Sequence, residues 1–210
     1  MIAVLVGLIL LFSIVLLVEL LHSRGHISTE MARKTIHLAT GLLLVAWSFL
    51  VSWHSIVYAE IFLIGAVSAT RWLKLFNSQN GVNRITWGEF FFPIGVILAI
   101  LLKAPRWVFI LAILHLAVAD AAAALVGKKY GQSTSYKVFG HKKSLVGSAA
   151  FFIVSIVLVS ATLVIAPAKF SAMNKVSLLL LPIITTFAEN FGVYGSDNLL
   201  VPLVIVFLLS

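Results

Sequence analysis

The sequence contains no cysteine, so disulfides, thiol redox chemistry and thiolate metal ligation are all excluded. Acids are almost as scarce: there are seven, and Asp, Glu, Lys and Arg together make up 10% of the 210 residues, against about 25% in soluble domains. That shortage excludes a soluble globular fold. The apolar bulk is a mixture of Leu, Val, Ile, Ala and Phe broken by short polar stretches, which excludes low complexity and disorder. What remains is a chain 61% hydrophobic with a mean hydropathy of +1.12, which reads as an all-α, polytopic membrane protein.

A helix needs about 20 apolar residues to cross the hydrocarbon. Candidate crossings fall at roughly 2–21, 35–52, 54–70, 88–102, 107–127, 144–166, 176–191 and 199–210, giving seven or eight spans, of which the fourth and last are short. The first is read as a helix and not a signal peptide, because no Lys or Arg precedes it and Glu19 to His26 offers no small-residue cleavage site. Residues 1–210 form one domain. No internal repeat interrupts it, and its longest polar connection, 128–143, is too short to fold alone.

Of the Lys and Arg residues, eleven fall in odd-numbered connections and four in even-numbered ones. The positive-inside rule then places the odd connections, including 128–143, in the cytoplasm and the N-terminus outside. A prokaryotic plasma membrane is the expected location. The net charge of +8 belongs to loops facing an anionic leaflet and anionic solutes, and no nucleic-acid partner is expected. Oligomeric state leaves no mark in the sequence.

Ionisable groups within membrane helices are expensive, so each is a functional candidate. Glu19 beside Arg24 reads as a snorkelling pair and Glu30 as a helix-start acid; Glu60 lies mid-segment, as a packing group or a functional one. Asp120 stands apart, embedded in Ala119-Asp120-Ala121-Ala122-Ala123-Ala124, whose small residues admit close neighbours. A lone carboxylate there requires a cation. Between it and Glu189 no other acid occurs, although Lys128, Lys129, Lys137, His141, Lys142 and Lys143 all do.

That basic loop needs anions, either lipid headgroups or a bound phosphate. Gly140-His141-Lys142-Lys143-Ser144-Leu145-Val146-Gly147-Ser148 favours the second reading. Ser144 can cap the helix that follows, whose first N–H groups are unsatisfied, with Lys142 and Lys143 beside them. The spacing is not that of a Walker A loop. A carboxylate near a phosphate cradle suits Mg²⁺, which takes one or two carboxylates and completes its shell with water and phosphate oxygens. The implied chemistry is phosphoryl or nucleotidyl transfer at the membrane surface. Zinc is not expected: His22 and His26 have helical spacing but no third ligand.

Ala119 to Gly131 followed by Gly140 to Ser148 resembles the paired motifs of the CTP-dependent lipid kinases, which include dolichol kinase, phytol kinase and the yeast-type diacylglycerol kinase. More distantly it resembles the phosphatidate cytidylyltransferases. Arg33-Lys34-Thr35-Ile36-His37, Gly88-Glu89-Phe90-Phe91-Phe92-Pro93-Ile94-Gly95, and Glu189 with Asp197-Asn198-Leu199-Leu200-Val201-Pro202 agree with it. One position departs: Val146 stands where the family often carries Glu. The resemblance implies a membrane lipid alcohol as acceptor, an isoprenoid or diacylglycerol, with CTP as phosphoryl donor. It implies that Asp120 binds Mg²⁺ or activates the lipid hydroxyl, and that Lys142, Lys143, Ser144 and Gly147 hold the CTP phosphates with support from Lys128. Arg33, Lys34 and His37 are phosphate-binding or interfacial candidates, Glu89 a second metal or base candidate, and Glu189, Asp197 and Asn198 secondary ones. Cytidylyl transfer to a phospholipid, and a transporter or scaffold, are the alternative functions.

Overall fold

A computed structural model describes residues 2–73, 87–170 and 172–210; the side chains of residues 172–174 are not among those described. The connection carrying Lys74 and Arg84, both used in the charge count, lies outside the described residues. Eight helices are present among the described residues: α1 (Ile2–Ser23), α2 (Thr29–Leu50), α3 (Trp53–Trp72), α4 (Gly88–Leu101), α5 (Arg106–Tyr130), α6 (Leu145–Ile165), α7 (Ala172–Phe191) and α8 (Asp197–Leu209). The protein is an all-α membrane helix bundle, as expected. Four of these helices, α1, α3, α5 and α6, are long and apolar enough to cross a bilayer, while α4 and α8 are apolar but shorter.

Helix boundaries follow local chemistry. Ser28 caps α2 by accepting from the Met31 N–H at 3.3 Å, so α2 starts ahead of the expected 35 and takes Arg33, Lys34 and His37 into its first turns. Ser52 caps α3 in the same way, accepting from Ser55 N–H at 3.2 Å. Prolines lie inside α4, α7 and α8, each without the N–H of an ordinary helical residue; separately, in α7 the Thr186 hydroxyl donates to the Pro182 carbonyl at 2.6 Å.

Helix α5 is the centre of the bundle. Its most apolar 18-residue stretch is 72% buried, against 17% for α1, whose Ile2, Leu5, Val6 and Ile9 face outward. Leu44 and Trp47 of α2, Phe109 and Ile113 of α5, Leu181 of α7 and Ile205 of α8 belong to one continuous core. Trp53 meets Phe109 edge-on at 5.0 Å at one end of the bundle, whereas Arg71 and Glu89 pair at 2.9 Å at the other. The second end collects the polar residues of α2, α5, α7 and α8.

Two local features depart from a plain helix bundle. Residues His115–Ala119 form a π-turn within α5, closed by the Asp120 N–H donating to the His115 carbonyl. The basic loop holds a two-stranded antiparallel hairpin, β1 (Ser135–Val138) and β2 (His141–Ser144), which a reading of the loop as unstructured polar chain does not anticipate. Its connection, Phe139-Gly140, has φ of 46° and 82°, the doubly left-handed geometry that closes two-residue hairpins. Gly140 therefore serves the turn.

Candidate active site

The site grows from three pieces of chain that the fold brings to the charged end. The first is the early part of α2, the second is the span from Asp120 through the hairpin to the start of α6, and the third is the end of α7 with the start of α8. They enclose a cavity of about 610 Å³, within the roughly 300–1,000 Å³ usual for small-molecule sites. Of the residues singled out above, Arg33, Lys34, Asp120, Lys128, Lys142 and Lys143 line it, as do Ser144, Gly147, Glu189, Asp197 and Asn198.

Asp120 has its cation in a lysine. Lys34 Nζ donates to Asp120 Oδ2 at 2.5 Å, with both residues buried (7% and 5% exposed). The pair occupies one carboxylate oxygen and leaves the acceptor capacity of the other. Directly behind Asp120, His115 contacts the Leu111 carbonyl at 2.8 Å and Ser155 Oγ at 2.7 Å, and Ser155 meets Thr185 at 3.3 Å. This buried polar chain ties the π-turn to α6 and α7, so the segment that aims Asp120 is held from both sides.

Lys143 is likewise paired. Its Nζ donates to Glu189 Oε1 at 2.6 Å and to the Glu189 carbonyl at 2.7 Å. Strand alternation puts Tyr136 opposite Lys143 on the same face, where the Tyr136 hydroxyl bonds Asn190 Oδ1 and lies 2.9 Å from Ser148 Oγ. An isolated hairpin is marginal in water; here Tyr136 and Lys143 fasten it to α6 and α7. Lys142 lies on the opposite face. Arg33 pairs with Glu30 at 3.3 Å, so among the lysines and arginine that line the cavity, Lys128 and Lys142 are the ones that form no ion pair with a described residue.

Ser144 caps α6 as expected, its Oγ accepting from Gly147 N–H at 3.1 Å. Gly147 sits where α5 and α6 touch: an added Cβ would lie 2.9 Å from the Ala123 carbonyl oxygen and 3.3 Å from Gly127 Cα. Its lack of a side chain is thus used by helix packing, whatever else it serves. On the far wall, Asn198 donates from Nδ2 to the Gly88 carbonyl at 3.0 Å, while its Oδ1 is buried with no hydrogen-bond partner. Among the described residues no three His, Asp or Glu side chains form a ready-made metal cluster.

Two singled-out residues are not brought to the cavity wall. Glu89 binds Arg71, whose guanidinium lies 4.9 Å over the Trp87 ring, so its charge is answered beside the cavity and not in it. His37 lies one turn beyond Lys34 on α2, its ring 5.2 Å from that of Phe92. Conversely, the loop residues Gly192, Val193, Tyr194 and Gly195 form a wall that sequence reasoning passed over. Tyr194 takes φ of 56° there, accepts from the Trp87 N–H at 2.8 Å, and packs edge-on to His141 at 4.3 Å. The Gly-Val-Tyr-Gly-Ser composition was the available signal.

Bundle and cavity together define a polytopic helical membrane protein with a charged site at one end. Among curated proteins, the phytol kinase of Synechocystis sp. is 31% identical over 200 residues, covering 91% of this chain and 83% of that protein. The chain belongs to the phytol kinase family and is a membrane lipid kinase. No family model and no solved structure matches it.

Proposed function

We propose that this protein transfers the γ-phosphoryl group of CTP to the hydroxyl of an isoprenoid alcohol of the phytol type dissolved in the bilayer. The observation that carries the reading is the single cavity in which unpaired Lys128 and Lys142 share walls with Asp120, Glu189 and Asp197. A triphosphate brings more negative charge than the paired lysines can answer, and Lys128, Lys142 and Arg33 are placed to receive it. The cavity's remaining oxygen donors suit a hard cation: Asp197 and the orphaned Oδ1 of Asn198 would hold Mg²⁺, which takes carboxylate and amide oxygens and keeps positions for water and phosphate, leaving the second oxygen of Asp120 free for the acceptor hydroxyl. When bound, that ion neutralises charge on the β- and γ-phosphate oxygens.

In the transfer, the acceptor oxygen bonds to the γ-phosphorus while the bond to the β,γ-bridging oxygen breaks. The electron pair leaves on CDP, and the hydroxyl proton passes to a cavity carboxylate, for which Asp120 is the candidate. Lys34 keeps that carboxylate fixed, and positioning supplies most of the rate in such reactions. The N-terminus lies outside and the cavity faces the cytoplasm of a prokaryotic cell, in line with the excess of lysine and arginine at the cavity end. Purified protein, Mg²⁺ and CTP labelled at the α- or γ-phosphate, offered to a panel of lipid alcohols, test this. Label from the γ-position should enter phytol-type alcohol; α-label entering lipid points instead to cytidylyl transfer, and no label in any lipid removes the kinase reaction.

A further inference from the structure

His37 is a polar residue beside the cavity that the nucleotide reading leaves unused. Its Nδ1 is buried without a hydrogen-bond partner, and no described residue bonds its Nε2. Unsatisfied imidazole nitrogens inside a bundle are rare and call for a reason. The residue's depth is bracketed by two contacts between α2 and α5: Lys34 meets Asp120 above it, and Gly41 packs on Ala117 below it. His37 therefore stands about 4.5 Å further into the bundle than Lys34, one layer on the bilayer side of the Lys34–Asp120 pair. It is half-buried and does not line the polar cavity. Its ring rests on Phe92 of α4, an apolar residue 3% exposed, and the neighbouring hydroxyls are spent on their own helix: Thr35 donates to the Met31 carbonyl at 2.9 Å and Thr40 to that of Ile36 at 2.9 Å.

We infer that His37 is the hydroxyl-binding residue of the acceptor subsite, where a long-chain lipid alcohol enters between α2 and α4 and its oxygen accepts a hydrogen bond from the imidazole N–H, leaving its own O–H for Asp120. The inference rests on the lipid-kinase reading above and assigns His37 to the acceptor and not to the nucleotide phosphates. A neutral hydroxyl on an apolar chain matches the position: it can reach an imidazole from the hydrocarbon side, whereas a phosphate would stay with Lys128 and Lys142 in the cavity. An alcohol held there presents its oxygen next to Asp120, one layer from the charged groups.

The test needs no nucleotide. A long-chain alcohol carrying a diazirine beside its hydroxyl is photolysed with the protein in bilayer nanodiscs, and the adducts are mapped by mass spectrometry. Labelling is expected on the α2 and α4 peptides containing His37 and Phe92, to be displaced by unlabelled alcohol and not by the matching hydrocarbon. His37→Phe should lower this hydroxyl-dependent labelling by about tenfold, as loss of one buried hydrogen bond does, and His37→Gln, which keeps an N–H donor, should retain part of it. Hydrocarbon competing as well as alcohol, or undiminished labelling in His37→Phe, overturns the inference. Labelling as expected in a protein that transfers no phosphate supports the acceptor site and removes only the kinase reaction. Full transfer by His37→Phe, with unchanged KM for the alcohol, removes the inference alone.

Discussion

Lys34 and Asp120 are 86 positions apart in the chain and 2.5 Å apart in the structure, each buried and each supplying the other's counter-charge. Removing one partner of such a pair leaves an uncompensated charge, at about 3–5 kcal/mol, whereas replacing both with apolar residues is often close to neutral. Lys34→Met should therefore lower the thermal unfolding temperature of the detergent-solubilised protein more than Lys34→Met combined with Asp120→Leu. Equal or additive losses would show that the two side chains do not depend on each other.

Asp120→Asn keeps the shape of the side chain and an oxygen for Lys34, yet removes the negative charge. Phosphoryl transfer should fall by roughly 10²–10³-fold, the range for deleting a group aimed at transition-state charge, while the protein remains folded by size-exclusion chromatography. Retained turnover would take Asp120 out of the chemistry.

The adjacent lysines of the hairpin should respond differently. Lys142 has no ion pair among the described residues, so Lys142→Ala should raise the KM for nucleotide with little change in melting temperature. Lys143→Ala strands the Glu189 carboxylate, which Lys143 holds at 2.6 Å, and should lower both the melting temperature and activity. Titrating nucleotide and recording thermal melts on each variant separates these outcomes.

Glu89→Gln is expected to change kcat by less than about threefold. The carboxylate is spent on Arg71 at the cavity's flank, and ion pairs of this partly exposed kind contribute about 0–1 kcal/mol. A large fall in kcat would return Glu89 to the reacting groups.

At Gly147 the expected effect is steric. Gly147→Val forces side-chain atoms against the Ala123 carbonyl and the α5 backbone, and overpacking of this type costs about 1–3 kcal/mol. Thermal unfolding measures it, and an unchanged melting temperature would mean that α5 and α6 separate freely there.

The readable parts of the fold were those written in local pattern. The eight helices follow from apolar runs ended by polar stretches, and the Ser144 cap follows from a hydroxyl residue placed just before one of those runs. Charge normally ends a membrane segment, which by pattern alone puts Arg33 and Lys34 in a connection; the Ser28 cap and the partner Asp120 let the helix begin earlier and keep them inside it. The hairpin was not readable, since β1 and β2 are four residues each, polar, and stabilised by contacts from Tyr136 and Lys143 to helices far along the chain. Likewise Glu89 looked available for chemistry because its pairing with Arg71 is a property of the fold and leaves no trace in composition.

The widened turn at His115–Ala119 has one more consequence. Each residue of an α-helix advances the side-chain direction by about 100°, so the extra residue held in this turn sets the azimuth of everything after it on α5 relative to everything before. Phe109 and Ile113 can thus face the oily interior while Asp120, on the same rod, looks into the polar chamber. Excising a single alanine from the stretch would leave the hydropathy of α5 almost untouched and swing the aspartate away from Lys34. The placement of one carboxylate is encoded in a residue count.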